Sequence, residues 1–186
     1  MKIKKVHRVI GKSIIFRNAT VHDAEFIHSL RVDARKSRHL SKVDDDVRAQ
    51  IRWLERYACD DTEVYFIITS LENEPLGTVR IYGAVGDSFC WGSWILVSDA
   101  PQHAAIESAL MVYEYAVSVL GFKNAYFHVH RENQSVWKFH ERFGAVRVGE
   151  DEIQYQYSLS GAAIASSMVR FKRYLTNGIH IQEISN

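Results

Sequence analysis

Two histidines on one predicted strand could move a proton at neutral pH. His128 and His130 alternate with apolar residues in the stretch NAYFHVH. Alternate side chains of a strand point to the same face, so the two imidazoles share a face. An imidazole titrates near neutral pH, so either ring could act as a general base if that face borders a binding cleft. The alternative is that both are structural residues of a half-exposed sheet.

The same His-x-His spacing raises the question of a metal site. A strand can present two such imidazoles to one zinc ion, but a zinc site needs a third protein ligand. No third ligand of an obvious kind stands nearby in the sequence, so we expect no metal. Cys59 and Cys90 are too few for a disulfide framework, and we expect them to be small buried hydrophobic residues.

A predicted strand, a short turn and a long helix follow one another between residues 89 and 120. The apolar run ends near Val97, and the helical pattern begins at Pro101, which sets a helical φ at its first position. The first turn of a helix leaves backbone N–H groups without intrahelical partners, and the helix dipole adds positive potential there. The sequence therefore predicts an anion site, suited to phosphate, around residues 102–105.

Hydrophobic periodicity and turn residues predict the other elements. Thr20 and Asp23 have capping-box spacing at the start of the first helix, and the acidic cluster 44–46 suits the start of the second. Turns are expected at 72–75, 83–87 and 149–150, a loop at 36–42, and a short strand or an irregular tail at 177–186. The predicted strands are 13–17, 64–69, 77–82, 89–97, 124–130, 145–148 and 153–159. The predicted helices are 20–35, one from 44 onward, 101–120, 133–143 and 160–175.

This order of elements predicts an α/β (α+β) fold with helices on both faces of a mixed, mostly antiparallel sheet. The strands before and after the long helix should lie parallel, joined by a right-handed crossover, with antiparallel neighbours on either side. The 186 residues suffice for a single domain, with a core at about 13–159 and a C-terminal helix and tail at 160–186.

Charge and hydropathy argue against several classes of protein. Lys and Arg total 23 against 22 Asp and Glu, so no basic excess favours a nucleic-acid partner. No apolar run reaches the roughly 18 residues of a membrane-spanning helix. The basic N-terminal segment lacks the apolar core of a secretory signal. We therefore expect a cytoplasmic protein that binds neither nucleic acid nor a membrane.

The order of elements, together with the segment NQSVWKFHERFGA at residues 133–145, resembles the GNAT superfamily of acyl-CoA-dependent N-acyltransferases. The segment is similar to the second cofactor segment of that family. The resemblance covers residues 14 to 159 and implies that two central parallel strands splay apart around acetyl-CoA. It implies an N-acetyltransferase that uses acetyl-CoA as its cosubstrate.

The resemblance also implies roles for individual residues. His140 takes the position of the family's tyrosine, the general acid that protonates the departing thiolate, and Asn133 and Trp137 would border the cofactor. Cofactor contacts are further implied for the splayed strand and the loop after it, at Ile95, Leu96, Val97, Gln102, His103, Ala104 and Ala105. The corresponding loop of this chain departs from the family's pattern, (Q/R)-x-x-G-x-(G/A), because it contains no glycine. The two alanines still keep the helix start slim.

The acceptor implied by the resemblance is the primary amine of a small molecule. The stretches GSWIL and SVWKFHERFGA are similar to a GNAT subset that acetylates ribosomal proteins or amino sugars, so a nucleotide-linked amino sugar is the first acceptor to consider. The alternatives are a protein N-terminal acetyltransferase and a non-catalytic GNAT-like binding module. A homodimer is expected because most soluble oligomers are symmetric dimers. An aromatic wall would suit a sugar ring, although core packing is the simpler role for most of the candidates, Tyr65, Tyr82, Trp91 and Trp94.

Overall fold

One nine-stranded sheet runs through the part of the chain that the structure describes. The structure is a computed structural model, and it describes residues 2–33 and 46–184. Its strands are β1 (Arg8–Ile10), β2 (Ile14–Asn18), β3 (Val64–Ser70), β4 (Pro75–Val85), β5 (Ser88–Leu96), β6 (Asn124–His130), β7 (Val146–Glu150), β8 (Gln154–Leu159) and β9 (His180–Gln182). They lie in the order β7-β8-β6-β5-β4-β3-β2-β1-β9. As predicted, β5 and β6 are parallel, and the other neighbouring pairs in this sheet are antiparallel.

Helices cover both faces of the sheet, which confirms the predicted fold class. They are α1 (Ala24–Val32), α2 (Val47–Cys59), α3 (Gln102–Glu114), α4 (Gln134–Arg142) and α5 (Gly161–Arg170). α1 and α2 pack on one face through Tyr65 and Ile67 of β3. α3, α4 and α5 pack on the other face through the alternate residues of that strand, such as Phe66. Within the described ranges, no helix is long and apolar enough to cross a membrane.

The second helix agrees with the prediction where it is described, but the first ends earlier than predicted, at Val32, and Asp33 after it has extended backbone. A 3-10 turn, Val21–Asp23, leads into α1, and the Asp23 carboxylate accepts the Thr20 N–H at 2.8 Å, as capping-box spacing predicts. The same carboxylate holds Arg17 in a two-pronged ion pair at 2.9 and 2.7 Å. The predicted end of the first helix at 34–35, the loop at 36–42 and residues 44–45 lie outside the described residues.

The long helix is shorter than predicted. α3 ends at Glu114, and a π-helical turn, Tyr115–Val119, takes up the rest of the segment expected to be α-helical. Gly121 follows with a φ of 78°, the left-handed conformation that closes a helix. The apolar pattern continues unbroken through the π turn, so periodicity alone does not reveal it.

The last hairpin turns one step later than predicted. Gly149 and Glu150, expected in the turn, are paired with β8 as part of β7. The turn begins instead at Asp151, whose carboxylate accepts backbone N–H groups two and three residues further on at 2.8 and 2.7 Å. Because the Asp151 carboxylate accepts two backbone N–H groups of the turn, the turn forms at Asp151 and not at Gly149.

Candidate active site

A cleft, called here the central cleft, opens where β5 and β6 separate. The two strands pair from Ser88 opposite Asn124 to Cys90 opposite Tyr126, and their register ends there. β6 continues to pair with β8 along its other edge. A cavity of about 90 Å³ occupies the gap. Its lining includes His128, His130, Asn133 and His140, so the structure brings together four of the predicted site residues.

A β-bulge in β5 shapes the floor of the central cleft. Arg80 of β4 opposes Gly92, but Thr78 opposes Ile95, so β5 holds one extra residue between these pairs. Ser93 lies in the bulge and has a left-handed φ of 48°. Its carbonyl accepts the Thr78 hydroxyl at 2.7 Å. Left-handed backbone in a non-glycine residue stores strain, and such strain concentrates at functional sites.

The four aromatic candidates divide between the two sides of the bulge. Trp91 and Trp94 line the central cleft, and their ring centroids lie 5.3 Å apart. Tyr65 and Tyr82 line a second pocket on the α1 and α2 side of the sheet. Trp91 and Trp94 therefore belong to the central cleft, and Tyr65 and Tyr82 border the second pocket.

The backbone of β5 determines which of the predicted contacts at residues 95–97 are available to a cofactor. The N–H of Val97 donates to the carbonyl of Leu76 at 2.8 Å, so it points toward β4 and away from the cleft. Because successive backbone groups of a strand point to opposite edges, the N–H of Leu96 points toward the cleft. Of residues 95–97, Leu96 is thus the one whose backbone N–H is available to an extended chain lying along β5.

The predicted anion site falls at the start of α3. The N–H of Ala104 donates to the carbonyl of Pro101 at 2.9 Å, and the Ala104 side chain is fully buried. Gln102 and His103 form the first turn, where helical N–H groups have no partner within the helix. Ala105 is half-buried, and its small side chain takes little space beside the first turn. These residues fit a pyrophosphate held mainly by the N–H groups of Gln102 and His103.

His140 is a buried, neutral imidazole. Only 5% of the residue is exposed, and its ring centroid lies 4.0 Å from that of Phe127 and 5.1 Å from that of Trp91. Burial lowers the pKa of His140 to about 3. Its Nδ1 atom has no hydrogen-bond partner among the described residues. At neutral pH the ring carries no charge, so it cannot supply a proton as an imidazolium, which is what the predicted general-acid role requires of a histidine.

His128 and His130 differ in what their rings can do. The Nδ1 atom of His130 accepts the backbone N–H of Glu132 at 3.2 Å, so neutral His130 carries its proton on Nε2. Its other nitrogen is therefore a donor and not a base. His128 is exposed on the same strand and lines the central cleft. Of the two candidates for the base, the geometry favours His128.

The two remaining predicted cofactor residues lie at the start of α4. Asn133 lines the central cleft, and its side-chain oxygen accepts the Ser135 hydroxyl at 3.2 Å. Trp137 has a different position, in which its indole donates to the carbonyl of Arg131 at 3.2 Å and its ring packs edge-on against Tyr155. Val136, the residue before it, lines the cleft instead.

The second pocket, called here the arginine pocket, has a volume of about 300 Å³. Its lining residues are Arg31, Gln50, Trp53, Tyr65, Arg80, Tyr82 and Ser93. None of these residues carries a carboxylate. Ser93 lines the central cleft as well, so the two pockets meet at the bulge.

Sequence patterns do not single out the polar residues of the arginine pocket. Arg80 offered a signal, because it is a charged residue in the middle of the apolar strand GTVRIY. Arg31 offered none, because an arginine on the polar side of a helix is usually solvated. Among the described residues, no group of three His, Cys, Asp or Glu side chains is arranged to hold a metal ion.

The sequence matches a known family, in addition to the fold features described above. These features are the splayed parallel pair, the bulge and the helix N-terminus beside it. A family model for the acetyltransferase (GNAT) domain matches residues 13–146, and the chain belongs to this family. No curated protein matches the chain.

Solved structures give more detail. A protein described as apo FdhC, a nucleotide-linked sugar GNAT, is 34% identical, with a TM-score of 0.81, and the match covers 94% of this chain and 98% of that one. A spermidine N-acetyltransferase from Vibrio cholerae, in complex with CoA and spermine, is 15% identical, with a TM-score of 0.72 and coverage of 82% and 98%. A GCN5-related N-acetyltransferase from Brucella melitensis is 15% identical, with a TM-score of 0.75 and coverage of 91% and 86%. At 15% identity the last two support the fold alone.

Proposed function

We propose that this protein transfers the acetyl group of acetyl-CoA to the primary amine of a nucleotide-linked amino sugar. The observation that carries the proposal is the meeting of the central cleft and the arginine pocket at Ser93. A thioester in the central cleft and an amine entering from the arginine pocket would approach each other across the bulge. Holding two reactants in this way supplies much of the rate of a transfer reaction.

Acetyl-CoA would bind along β5 and α3. The pantetheine arm would lie along the free edge of β5, where the N–H of Leu96 is available, and beside Asn133. The pyrophosphate would bind at the N–H groups of Gln102 and His103. Backbone N–H groups on the same edge of β5 would polarise the thioester carbonyl, as preorganised donors do in acyl transfer.

The chemistry needs one base and one group that stabilises the thiolate. The neutral amine attacks the thioester carbon, a C–N bond forms, and the C–S bond breaks to release the CoA thiolate. His128 would take the proton that the nitrogen loses. His140 would donate a hydrogen bond to the thiolate from its neutral ring, and the proton that finally reaches the sulfur would come from solvent or from protonated His128. His140 thus replaces the family's tyrosine as a donor without acting as a strong acid.

Two observations support a nucleotide-linked sugar as the acceptor. The relative that is 34% identical over nearly the whole chain is described as a nucleotide-linked sugar GNAT. The pocket that meets the central cleft is bordered by the rings of Tyr65 and Tyr82 and, among its described residues, by no carboxylate. A polyamine or a cationic peptide amine would need acidic partners at this place.

The proposal is tested by an acetyl-transfer assay. The protein is incubated with acetyl-CoA and, separately, a nucleotide-linked amino sugar, the free amino sugar, spermidine and a short peptide, and release of the CoA thiol is followed. We expect release to depend on the nucleotide-linked sugar, with a product heavier by one acetyl group. Release with spermidine or peptide alone would contradict the acceptor, and no release with any amine would contradict the enzymatic function.

A further inference from the structure

Three buried polar atoms beside the central cleft have no hydrogen-bond partner among the described residues. They are Nε1 of Trp91, the hydroxyl oxygen of Tyr113 and Nδ1 of His140. The Trp91 ring contacts both other rings, since its centroid lies 5.7 Å from that of Tyr113 and 5.1 Å from that of His140. Buried polar atoms of folded proteins are nearly always paired. Three such atoms on neighbouring rings therefore point to one shared arrangement.

The Trp91 N–H and the Tyr113 oxygen are close enough to affect each other. The two rings meet edge to face, with an angle of 89° between their planes. Burial raises the pKa of the Tyr113 hydroxyl, and the nearby Trp91 N–H opposes that rise, although the contact falls short of a full hydrogen bond in geometry. An indole nitrogen can only donate, so Tyr113 is the acceptor of this pair. The hydrogen of the Tyr113 hydroxyl is then left for a further acceptor.

Nδ1 of His140 is the acceptor that completes the set. Burial lowers the pKa of His140 to about 3, so the ring is neutral and one of its two nitrogens is an acceptor. With the ring proton on Nε2, Trp91 donates to Tyr113 and Tyr113 donates to Nδ1, so each of the three atoms has a partner. With the proton on Nδ1, both N–H groups must donate to the Tyr113 oxygen, and the hydroxyl hydrogen has no acceptor. The count of donors and acceptors thus selects the first tautomer.

We propose that Tyr113 is a positioning residue which, in solution, donates its hydroxyl hydrogen to Nδ1 of His140 and so keeps the ring proton on Nε2. The inference rests on the proposed function, in which neutral His140 donates a hydrogen bond to the CoA thiolate. His140 lines the central cleft, and since Nδ1 is the enclosed nitrogen, Nε2 is the one that a sulfur atom in the cleft can reach. The hydrogen bond of one ring nitrogen determines whether the other carries the proton. The opposite tautomer would turn a lone pair toward the negative sulfur.

Nuclear magnetic resonance of the full chain with ¹⁵N-labelled histidine tests the tautomer without any need for turnover. Two-bond ¹H–¹⁵N correlations distinguish the two neutral tautomers of each ring, and the signals that disappear in His140→Phe are those of His140. We expect wild-type His140 to carry its proton on Nε2, with Nδ1 as a hydrogen-bonded acceptor. A proton on Nδ1 in wild type would overturn the proposal without the use of any Tyr113 variant.

Two tyrosine variants then identify the donor. Tyr113→Phe removes only the hydroxyl, and the ratio of the two His140 tautomers should change by about fivefold or more, the effect of one hydrogen bond. Tyr115→Phe is the matched control, because Tyr115 is also fully buried but its hydroxyl donates to the backbone carbonyl of Lys4. It loses a buried hydrogen bond and should leave the His140 signals unchanged. An unchanged tautomer ratio in Tyr113→Phe, or an equal change in both variants, would contradict the role of Tyr113.

Kinetics connect the tautomer to the reaction. Tyr113→Phe should lower kcat by about fivefold or more and leave KM for acetyl-CoA and for the acceptor within about twofold, whereas a general loss of structure would change KM as well. A changed tautomer with an unchanged kcat would overturn the positioning role.

Failure of this inference can be told apart from failure of the proposed function. If wild type acetylates a nucleotide-linked amino sugar and Tyr113→Phe keeps both the tautomer and kcat, the enzyme stands and the positioning role is wrong. If the tautomer responds to Tyr113→Phe but no amine is acetylated, the hydrogen bond stands and the transfer reaction is wrong.

Discussion

The Nη1 atom of Arg31 lies 3.4 Å from the hydroxyl oxygen of Ser93, and this contact joins the arginine pocket to the bulge of β5. Ser93 is also part of the central cleft. One residue thus borders the space assigned to the acceptor and the space assigned to the thioester. The position of the bulge decides where the two substrates would meet.

Ser93 offers a direct test of the bulge through its φ of 48°. Ser93→Val puts a β-branched side chain into left-handed backbone and should lower the free energy of unfolding by about 1–2 kcal/mol. Ser93→Gly relieves the backbone but removes the hydroxyl next to Arg31, so it should fold at least as well as wild type and show a raised KM for the acceptor. Urea unfolding and steady-state kinetics measure both effects. A valine variant as stable as the glycine variant would contradict the strained bulge.

Substitutions of His128 and of His130 should have different effects on the rate of acetyl transfer. His128→Gln should lower kcat/KM by about 100-fold, because the base is gone. His130→Gln, the control on the same face, should change the rate by only a few-fold, since Nδ1 of His130 already accepts the Glu132 N–H. Steady-state kinetics of all three proteins at one pH measure this. Loss of rate in the His130 variant alone would reverse the assignment.

Two substitutions that replace the His140 ring by another aromatic ring test its role. His140→Phe removes the hydrogen-bond donor and should lower kcat by about tenfold or more, with acetyl-CoA affinity retained. His140→Tyr restores a donor of the kind that the family places here, and it should keep more activity than the phenylalanine variant. Both variants need a thermal unfolding curve as a folding control. Equal kcat in wild type and the phenylalanine variant would reduce His140 to a packing residue.

Burial of His140 also predicts a pH dependence of stability. Its pKa of about 3 in the folded protein lies below the usual 6.5, so the unfolded chain takes up this proton first as the pH falls. The stability due to this group is therefore complete above pH 6.5 and is lost progressively as the pH falls toward 3. Between pH 7 and pH 5, wild type should lose about 2 kcal/mol that His140→Phe does not lose. Parallel urea unfolding curves that shift equally in both proteins would contradict the buried neutral ring.

The sequence predicted the sheet because most of its strands are long apolar runs between clear turn signals, such as VYFIIT at residues 64–69. It missed β1, a strand of three residues in a basic segment that gains its order from pairing with β2 and β9. The strand expected as one choice for the tail is present as His180–Gln182. Short strands carry too few residues for periodicity to identify them.

Candidate site residues can be found from the sequence only where one segment holds them. His128, His130, Asn133 and His140 lie within a short stretch, and the structure places all four in the lining of the central cleft. Arg31, Trp53 and Arg80 come from separate elements, and tertiary packing alone brings them together. The bulge that turns Trp94 to the side of Trp91 cannot be read from the sequence, because a single extra residue does not disturb the apolar run.

Isothermal titration of acetyl-CoA shows whether the cleft between β5 and β6 binds this cosubstrate. The titration is made on wild type, on Val136→Trp, which fills the cleft, and on Val169→Trp, a control at a residue that is 71% exposed on α5. We predict micromolar binding to wild type and to the control, competed by CoA and lost in Val136→Trp. No binding to wild type at millimolar acetyl-CoA, or equal binding to all three proteins, would contradict the account.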